Sequence, residues 1–272
     1  MAVRPTVLTI AGSDPSGGAG VQADLKTMCA FGVYGMAAVT SITVQNTLEV
    51  RRSHVLPADL VADEIDAVLT DIPADAAKTG MLATAGIIDR VAERVKAHGL
   101  GKLVVDPVMR AASGASLIDA DAVSVLRESL LPLALVVTPN VPEAEALTGI
   151  AIETDADAER AARALYDSTG AAALVKGGHR LGESLATDIL FDGSNLLTFA
   201  APKIDGGDRH GTGCTLSAAI ASALALGNDL ARSVALAKDY THAAIVASFE
   251  PGKGSPVLDH LVPLGDRSGR AS

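Results

Sequence analysis

The sequence predicts an α/β protein of three layers, with helices on both faces of a mostly parallel sheet. Short β-rich runs alternate with amphipathic segments along the chain, and most of these runs are apolar throughout. Continuous apolar strands are typical of a parallel sheet that is covered on both sides. With 272 residues, 49% of them hydrophobic, the chain can bury a large core in one domain. We expect that domain at 1–264, followed by a disordered tail at 265–272.

Eight strands are predicted from runs of β-branched and small apolar residues. They are Thr6–Ala11, Ala37–Val44, Ala76–Gly80, Leu103–Val105, Ala134–Thr138, Ala172–Val175, Thr187–Phe191 and Leu196–Ala200. The last two strands are separated by Asp192-Gly193-Ser194-Asn195, which predicts a hairpin.

Eight helices are predicted between and after the strands, where apolar residues recur at helical spacing. They are Ala19–Ala30, Pro57–Thr70, Thr84–His98, Asp119–Leu130, Val141–Thr148, Asp155–Ser168, Thr212–Leu226 and Asp229–Ser248. Cys29 lies on the apolar stripe of the first helix, and we expect it in the core.

Composition excludes several classes of protein. A net charge of −10 argues against a nucleic-acid partner, because a duplex would repel such a surface. Two cysteines are too few for a disulfide framework. The N-terminus has no signal-peptide pattern, and no apolar run is long enough to span a bilayer. We therefore expect a soluble cytoplasmic protein.

Unusual polar residues and glycines follow the ends of the predicted strands. In an open α/β sheet, ligands bind beyond the carboxyl ends of the strands. These residues would therefore meet at one edge of the sheet and form a ligand site there. They are Gly12-Ser13-Asp14, Gln45-Asn46, Met81, Asp106-Pro107, Asn140 and Lys176-Gly177-Gly178.

The segment His210–Thr215 leads directly into a long apolar helix and is the strongest single motif. Its glycines let the backbone approach a ligand closely, and the first amides of a helix have no internal partners. Such a turn is an anion site, most naturally for phosphate. Cys214 stands in the first turn, where the helix end should lower the thiol pKa from about 8.5. The motif indicates phosphate chemistry with a thiol at the reacting point.

Two further motifs have both a structural and a functional interpretation. Asn140-Val141-Pro142-Glu143 has the pattern of a capping box, and the same pair could order water around a metal ion. Lys176 stands at a strand end among glycines, where it could contact phosphate or be an ordinary surface lysine.

Two carboxylates also leave alternatives open. Asp106 could hold magnesium through water or accept amide hydrogen bonds at its turn. Asp24 lies one position from the apolar stripe of the first helix, where it could be solvated or face a pocket. The glycine-rich turn at Ser13–Gly20 matches a dinucleotide fingerprint only loosely, since no acidic residue follows at the expected distance.

Taken together, these segments resemble the hydroxymethylpyrimidine/phosphomethylpyrimidine kinases of thiamine biosynthesis, in the ribokinase-like superfamily. The segments run in family order across nearly the whole chain, and together they are highly specific. They are Leu8–Gly20, Gln22–Lys26, Gln45–Thr47, Lys78–Leu82, Val104–Met109, Thr138–Ala144, Val175–His179 and His210–Ser217.

The resemblance implies a single ribokinase-like α/β/α sandwich, commonly dimeric, that uses ATP and Mg²⁺. It implies two successive phosphorylations, first of 4-amino-5-hydroxymethyl-2-methylpyrimidine and then of its monophosphate. The implied pyrimidine pocket is Gly12, Asp24, Gln45, Met81 and Val108. The implied catalytic set is the base Cys214, the anion hole Gly211, Thr212 and Gly213, and Lys176. The implied nucleotide and metal side is Asp106, Asn140, Glu143 and Lys176, with Asp106 and Glu143 holding the metal through water.

Most ribokinase-like relatives have Asp where this chain has Cys214, so the thiol favours the pyrimidine-kinase branch over sugar and pyridoxal kinases. A pyridoxal kinase is the closest alternative, and a non-catalytic protein that binds the same ligand is an alternative from another class. The polar segments Arg110–Ser116 and Lys203–Arg209 are candidates for a loop that closes over the site.

Overall fold

The computed structural model describes residues 4–110, 117–119, 121–178, 184–204 and 209–264. Its strands are β1 (Thr6–Ser13), β2 (Tyr34–Gln45), β3 (Val50–Val55), β4 (Ala76–Thr79), β5 (Leu103–Val105), β6 (Val136–Val137), β7 (Ala172–Lys176), β8 (Leu185–Phe191) and β9 (Leu196–Pro202). They form one nine-stranded sheet in the order β3-β2-β1-β4-β5-β6-β7-β8-β9.

Six neighbouring strands run parallel to one another, in the order β2-β1-β4-β5-β6-β7. At one edge β3 pairs antiparallel with β2, and at the other β8 and β9 add two antiparallel pairings. The predicted mostly parallel sheet is therefore confirmed. The predicted hairpin is also confirmed, because Asp192 Oδ1 accepts from the amides of Ser194 at 2.9 Å and Asn195 at 2.6 Å in the turn between β8 and β9.

Helices cover both faces of the sheet, which gives the three layers that the sequence predicts. They are α1 (Gly20–Phe31), α2 (Ala58–Leu69), α3 (Ala85–His98), α4 (Ala122–Val125), α5 (Val141–Thr148), α6 (Asp155–Thr169), α7 (Thr212–Ala225) and α8 (Leu230–Val246). One apolar core joins α2 through α6 to the sheet, and a second joins α1, α7 and α8 to the other face. Ten of the residues in α7 are buried, so the second core holds this helix firmly against the sheet.

Two elements differ from the sequence-based prediction. The prediction missed β3, because Val-Arg-Arg-Ser-His-Val is an exposed edge strand without an apolar face. The helix predicted at Asp119–Leu130 is a single α-turn, α4, that continues as a π-turn at Leu126–Leu130 and a 3-10 turn at Leu131–Leu133. Pro132 lies in that last turn and has no amide hydrogen with which to continue an α-helical pattern.

Cys29 is exposed on α1, so its expected place in the core is wrong. The buried stripe of α1 instead includes Val21, Asp24, Met28 and Phe31, at the three- and four-residue spacing of one helix face. Cys29 is one position beyond Met28, and the helical rotation turns it towards the surface.

Most of the two candidate closing loops, at 111–116 and 205–208, lies outside the described residues, as does the predicted tail at 265–272. The single-domain boundary at 264 stays a prediction. Among the described helices, none combines the length and the apolar character that crossing a membrane requires.

Candidate active site

The N-terminus of α7 is formed by two glycine-rich turns in close contact. Gly211 caps the helix in the left-handed region, at φ 90°, and gives no side-chain hydrogen bond to the first turn. A side chain at Gly211 would collide with the carbonyl oxygen of Gly18 in the β1–α1 turn. Since no side chain caps the helix, the first-turn amides of Gly213 and Cys214 can face a ligand.

The N-terminus of α7 adjoins an ion pair between the ends of two strands. Lys176 Nζ, at the end of β7, lies 2.9 Å from Asp106 Oδ1, which follows β5. A Cβ atom on Gly213 would lie 3.4 Å from both Asp106 Oδ2 and Lys176 Nζ. The structure therefore brings Lys176, Asp106 and the helix end together, as the strand-end pattern predicts.

Burial lowers the pKa of Lys176, but attraction to Asp106 and Glu143 outweighs it and leaves the pKa above its usual value. The ammonium is therefore charged at neutral pH. Asp106 is also contacted by the hydroxyls of Thr138 at 3.3 Å and Ser217 at 3.4 Å, which help to fix its carboxylate.

Asn140 and Glu143 form the predicted capping box at the start of α5. Asn140 Oδ1 accepts from the amide of Glu143 at 2.9 Å, and Glu143 Oε2 accepts from the amide of Asn140 at 2.8 Å. Burial raises the pKa of Glu143 to about 7, with attraction to Lys176 opposing the rise. The structural interpretation is confirmed, and the same carboxylate lies near the Lys176–Asp106 pair.

The carboxylates Asp106 and Glu143 could supply only part of the ligands of a magnesium ion. Among the described residues no group of three His, Cys, Asp or Glu side chains is arranged to hold a metal ion. Mg²⁺ keeps several waters and usually binds through one or two carboxylates together with substrate phosphates. Asp106 and Glu143 are two buried acids near the first turn of α7, which suits that mode.

Near the end of β1, Gly12 lies close to Ser41 of β2 and to Met81, which follows β4. A Cβ atom on Gly12 would lie 2.7 Å from Ser41 Oγ and 3.2 Å from Met81 Sδ. Thr40 Oγ1 donates to the Met81 carbonyl at 2.6 Å and fixes this residue. Val108 lines a small cavity next to Gly80 and Asp106, so it lies near the same strand ends.

Gln45, at the end of β2, contacts His210, which in turn contacts Asp14. Its side-chain amide lies 2.9 Å from His210 Nε2, and the same nitrogen lies 2.7 Å from Asp14 Oδ2. Asp14 also accepts from the amides of Ser16, Gly18 and Ala19 and from the Ser16 hydroxyl. The three side chains join both glycine turns to the end of β2.

Asp24 is fully buried and forms an ion pair with Lys78 of β4. Lys78 Nζ lies 3.1 Å from both carboxylate oxygens, and Thr9 Oγ1 donates to one of them at 2.6 Å. Neither Asp24 nor Lys78 has any exposed surface. Both carboxylate oxygens of Asp24 therefore have partners inside the protein, and its contact with a substrate stays a prediction.

The environment of Cys214 differs from the one expected at a helix N-terminus. The residue is half-buried, and burial raises the pKa of its thiol to about 11, with Lys78 opposing the rise. The predicted lowering of the thiol pKa is therefore wrong, because removal from water outweighs the helix amides and Lys78. Burial lowers the pKa of Lys78, but attraction to Asp24, Cys214 and Asp106 outweighs it and keeps the ammonium charged.

The sequence predicted neither a role for Lys78 nor the side-chain contact between Asp14 and His210, although it placed the latter two residues at the site. A lysine inside the apolar strand Ala76–Thr79 was the available signal for Lys78, since a lysine is almost never fully buried without a partner. No signal identified the Asp14–His210 contact, because the two residues are 196 positions apart.

The fold and the site define a ribokinase-like kinase. A pyridoxal kinase from Staphylococcus aureus, solved in complex with AMP-PCP and pyridoxal, superposes with a TM-score of 0.87 at 34% identity, covering 95% of this chain and 94% of that one. A phosphomethylpyrimidine kinase from Clostridium difficile superposes with a TM-score of 0.80 at 42% identity, covering 89% and 100%.

The chain belongs to the phosphomethylpyrimidine kinase family, whose model matches residues 14–259. A hydroxymethylpyrimidine/phosphomethylpyrimidine kinase of Rhizobium meliloti is 48% identical, over 93% of this chain and 96% of that protein. The Bacillus subtilis kinase of the same name is 42% identical, over 93% and 94%. A thiamine biosynthesis bifunctional protein of Geobacter sulfurreducens is 48% identical over 97% of this chain, which spans 54% of that longer protein.

The raised pKa of Cys214 predicts a thiol that reacts slowly at neutral pH. In a Cys29→Ser background, the rate of alkylation by iodoacetamide should increase about tenfold per pH unit from pH 7 to 9.5, because only the thiolate reacts. Mass spectrometry of the modified protein measures the rate. A plateau below pH 8.5 would show that the helix end, and not burial, controls the thiol.

Proposed function

We propose that this protein is an ATP-dependent kinase that phosphorylates 4-amino-5-hydroxymethyl-2-methylpyrimidine and then its monophosphate, in thiamine biosynthesis. The single observation that carries the proposal is the position of Gly213 and Cys214. The first turn of α7 places a glycine against Lys176 and Asp106, and the next residue is a thiol. Membership of the phosphomethylpyrimidine kinase family supports the same substrate.

Phosphoryl transfer needs positioning and stabilisation of negative charge more than covalent help from the protein. The amides of Gly213 and Cys214 and the ammonium of Lys176 would stabilise the charge on the transferring group. Gly213 has no side chain, so the phosphoryl oxygens can approach Lys176 closely. Asp106 and Glu143 would hold a magnesium ion through water, and the ion would supply further positive charge to offset that of the phosphates.

Cys214 would accept the proton of the substrate hydroxyl. Its thiol has a pKa of about 11, so it carries its own proton at neutral pH and is a base only in its minor, ionised form. A base of that strength takes a proton from an alcohol more readily than a carboxylate does. Lys78, charged and buried behind the thiol, would stabilise the thiolate, and Asp24 would hold Lys78 in place.

The substrate ring would lie at the meeting point of β1, β2 and β4. Gly12 leaves space there, and Met81 and Val108 give apolar walls. Gln45 would form hydrogen bonds with polar atoms at the edge of the ring. The apolar walls and the single amide suit a small aromatic heterocycle better than a sugar.

Pyridoxal is the second candidate substrate, because pyridoxal kinases of Staphylococcus aureus superpose on this chain with TM-scores of 0.87 to 0.88. Cys214 and the glycines of the anion hole are all present, which disfavours the alternative of a binding protein without activity. The homodimer and the cytoplasmic location stay predictions. Exposed apolar side chains on one face of β2, Ile42 and Val44, favour association with a second copy.

The function is tested by counting the phosphates transferred. Purified protein with ATP, Mg²⁺ and the free pyrimidine alcohol should yield first a monophosphate and then a diphosphate by mass spectrometry. Pyridoxal in a parallel reaction should turn over more slowly, and Cys214→Ala should lose at least about a hundredfold in kcat as a positioned base is removed. A strong preference for pyridoxal, or near-normal turnover by Cys214→Ala, would contradict the assignment.

The pH dependence separates a thiol base from a carboxylate base. For the wild type, kcat/KM should rise from pH 7 to pH 9 without a plateau, because the thiolate fraction increases up to a pKa of about 11. In Cys214→Asp the base is already ionised beside Lys78, so the profile should be flat over the same range. Steady-state kinetics of the two proteins measure this. Parallel profiles would exclude Cys214 as the base.

The two roles of Glu143 are separated by Glu143→Gln. Gln accepts from the Asn140 amide as Glu does, so the cap and the melting temperature should be preserved. The missing charge should raise the Mg²⁺ concentration for half-maximal activity about tenfold, measured at pH 8, where the wild-type carboxylate is ionised. An unchanged Mg²⁺ requirement would leave Glu143 as a helix cap alone.

A further inference from the structure

The side chain of His210 is held between two turns by contacts on several sides. A Cβ atom on Gly18 would lie 2.6 Å from His210 Cδ2 and 2.9 Å from Val257 Cγ1. The backbone amide of His210 donates to the Pro256 carbonyl at 3.1 Å. The imidazole is only 13% exposed, and the Asp14 side chain that it contacts is 3% exposed. The ring therefore has one orientation, with Nε2 towards Asp14 and Gln45.

The contact with Asp14 requires that His210 Nε2 carries a hydrogen. Burial raises the pKa of Asp14, but hydrogen bonds from His210 and Ser16 outweigh it and leave the pKa below its usual value. The ionised carboxylate can only accept hydrogen bonds, so Nε2, at 2.7 Å, must be protonated. This holds for both the neutral ring and the imidazolium, because Nε2 carries a hydrogen in each.

A protonated Nε2 cannot accept a hydrogen bond from the amide nitrogen of Gln45. The amide atom that lies 2.9 Å from Nε2 must therefore be the oxygen, because two N–H donors cannot face each other at that distance. The oxygen and nitrogen of a glutamine amide have nearly the same shape, and the hydrogen-bond partners decide which is which. Nε2–H then donates to both Asp14 and Gln45.

We propose that Asp14 and His210 orient the Gln45 amide so that its NH₂ group, and not its oxygen, faces the substrate. The inference rests on the proposed function only in placing the substrate ring beside Gln45. An outward NH₂ donates, so it selects a ring nitrogen with a free lone pair. A ring with an N–H group at that position would place one donor against another, so no hydrogen bond with the Gln45 NH₂ group could form. His210 is thus a positioning residue that determines specificity without touching the substrate.

Two substitutions test this role. His210→Phe keeps a ring between Gly18 and Val257 but removes the donor, so the Gln45 amide is free to turn. His210→Gln keeps an amide that can donate to Asp14 and Gln45. The substrates are the pyrimidine alcohol and its two monodeaza analogues, in each of which C–H replaces one ring nitrogen.

The wild type should prefer the pyrimidine over one of the two analogues by about tenfold in kcat/KM, as expected for the loss of one buried hydrogen bond. His210→Phe should reduce that preference to less than threefold, and His210→Gln should retain it. The KM for ATP should change by less than twofold in both variants. If His210→Phe keeps the wild-type preference, or lowers activity equally for all three substrates, the orienting role is overturned.

A measurement without substrate separates this inference from the proposed function. The ¹⁵N chemical shifts of the His210 ring in labelled protein report which nitrogen carries the proton. We expect a protonated Nε2 in the wild type, and a changed tautomer distribution of His210 in Asp14→Asn. An unprotonated Nε2 in the wild type would overturn the orientation of Gln45 even if the pyrimidine alcohol is phosphorylated. A protonated Nε2 in a protein that does not phosphorylate the pyrimidine would refute the proposed function and leave the orientation intact.

Discussion

The burial of paired charges at the carboxyl edge of the sheet is the constraint on which the rest of the site depends. Lys78 with Asp24, and Lys176 with Asp106, are removed almost completely from water. A buried charge without its partner is strongly destabilising, so each pair requires its two elements to meet in one register. The pairs join β4 to α1 and β7 to the end of β5. The positions of the groups that surround α7 follow from these pairings.

A second constraint is the close approach of two backbone turns. Gly18 and Gly211 lie where any side chain would collide with the opposite turn, and Gly211 is in the left-handed region as well. This contact exposes the first amides of α7 and places His210 against Asp14. The glycines therefore shape both the proposed anion site and the proposed site of the substrate ring. A chain with side chains at these positions would have to separate the two halves of the site.

The charges at this edge also explain why two groups have unusual protonation. Glu143 and Cys214 are both acids in surroundings that disfavour their charged forms, and nearby lysines only partly offset this. At neutral pH, Glu143 is therefore closer to a change of charge than a glutamate in water would be. Cys214 is further from a change of charge than a cysteine in water would be. Phosphate or magnesium bound at the proposed site would alter the balance of charge around both groups.

The sequence by itself determined the layers, the mostly parallel sheet and the set of residues at the strand ends, because periodicity and turn chemistry are local properties. It also identified the start of α7 and the capping box of α5. Only the tertiary structure decided the partners of the buried groups, since Asp24 and Lys78 are 54 positions apart and Asp106 and Lys176 are 70 apart. For the same reason the sequence misjudged the burial of Cys29 and the thiol pKa of Cys214. Burial depends on which distant segments pack together, and no local pattern contains that information.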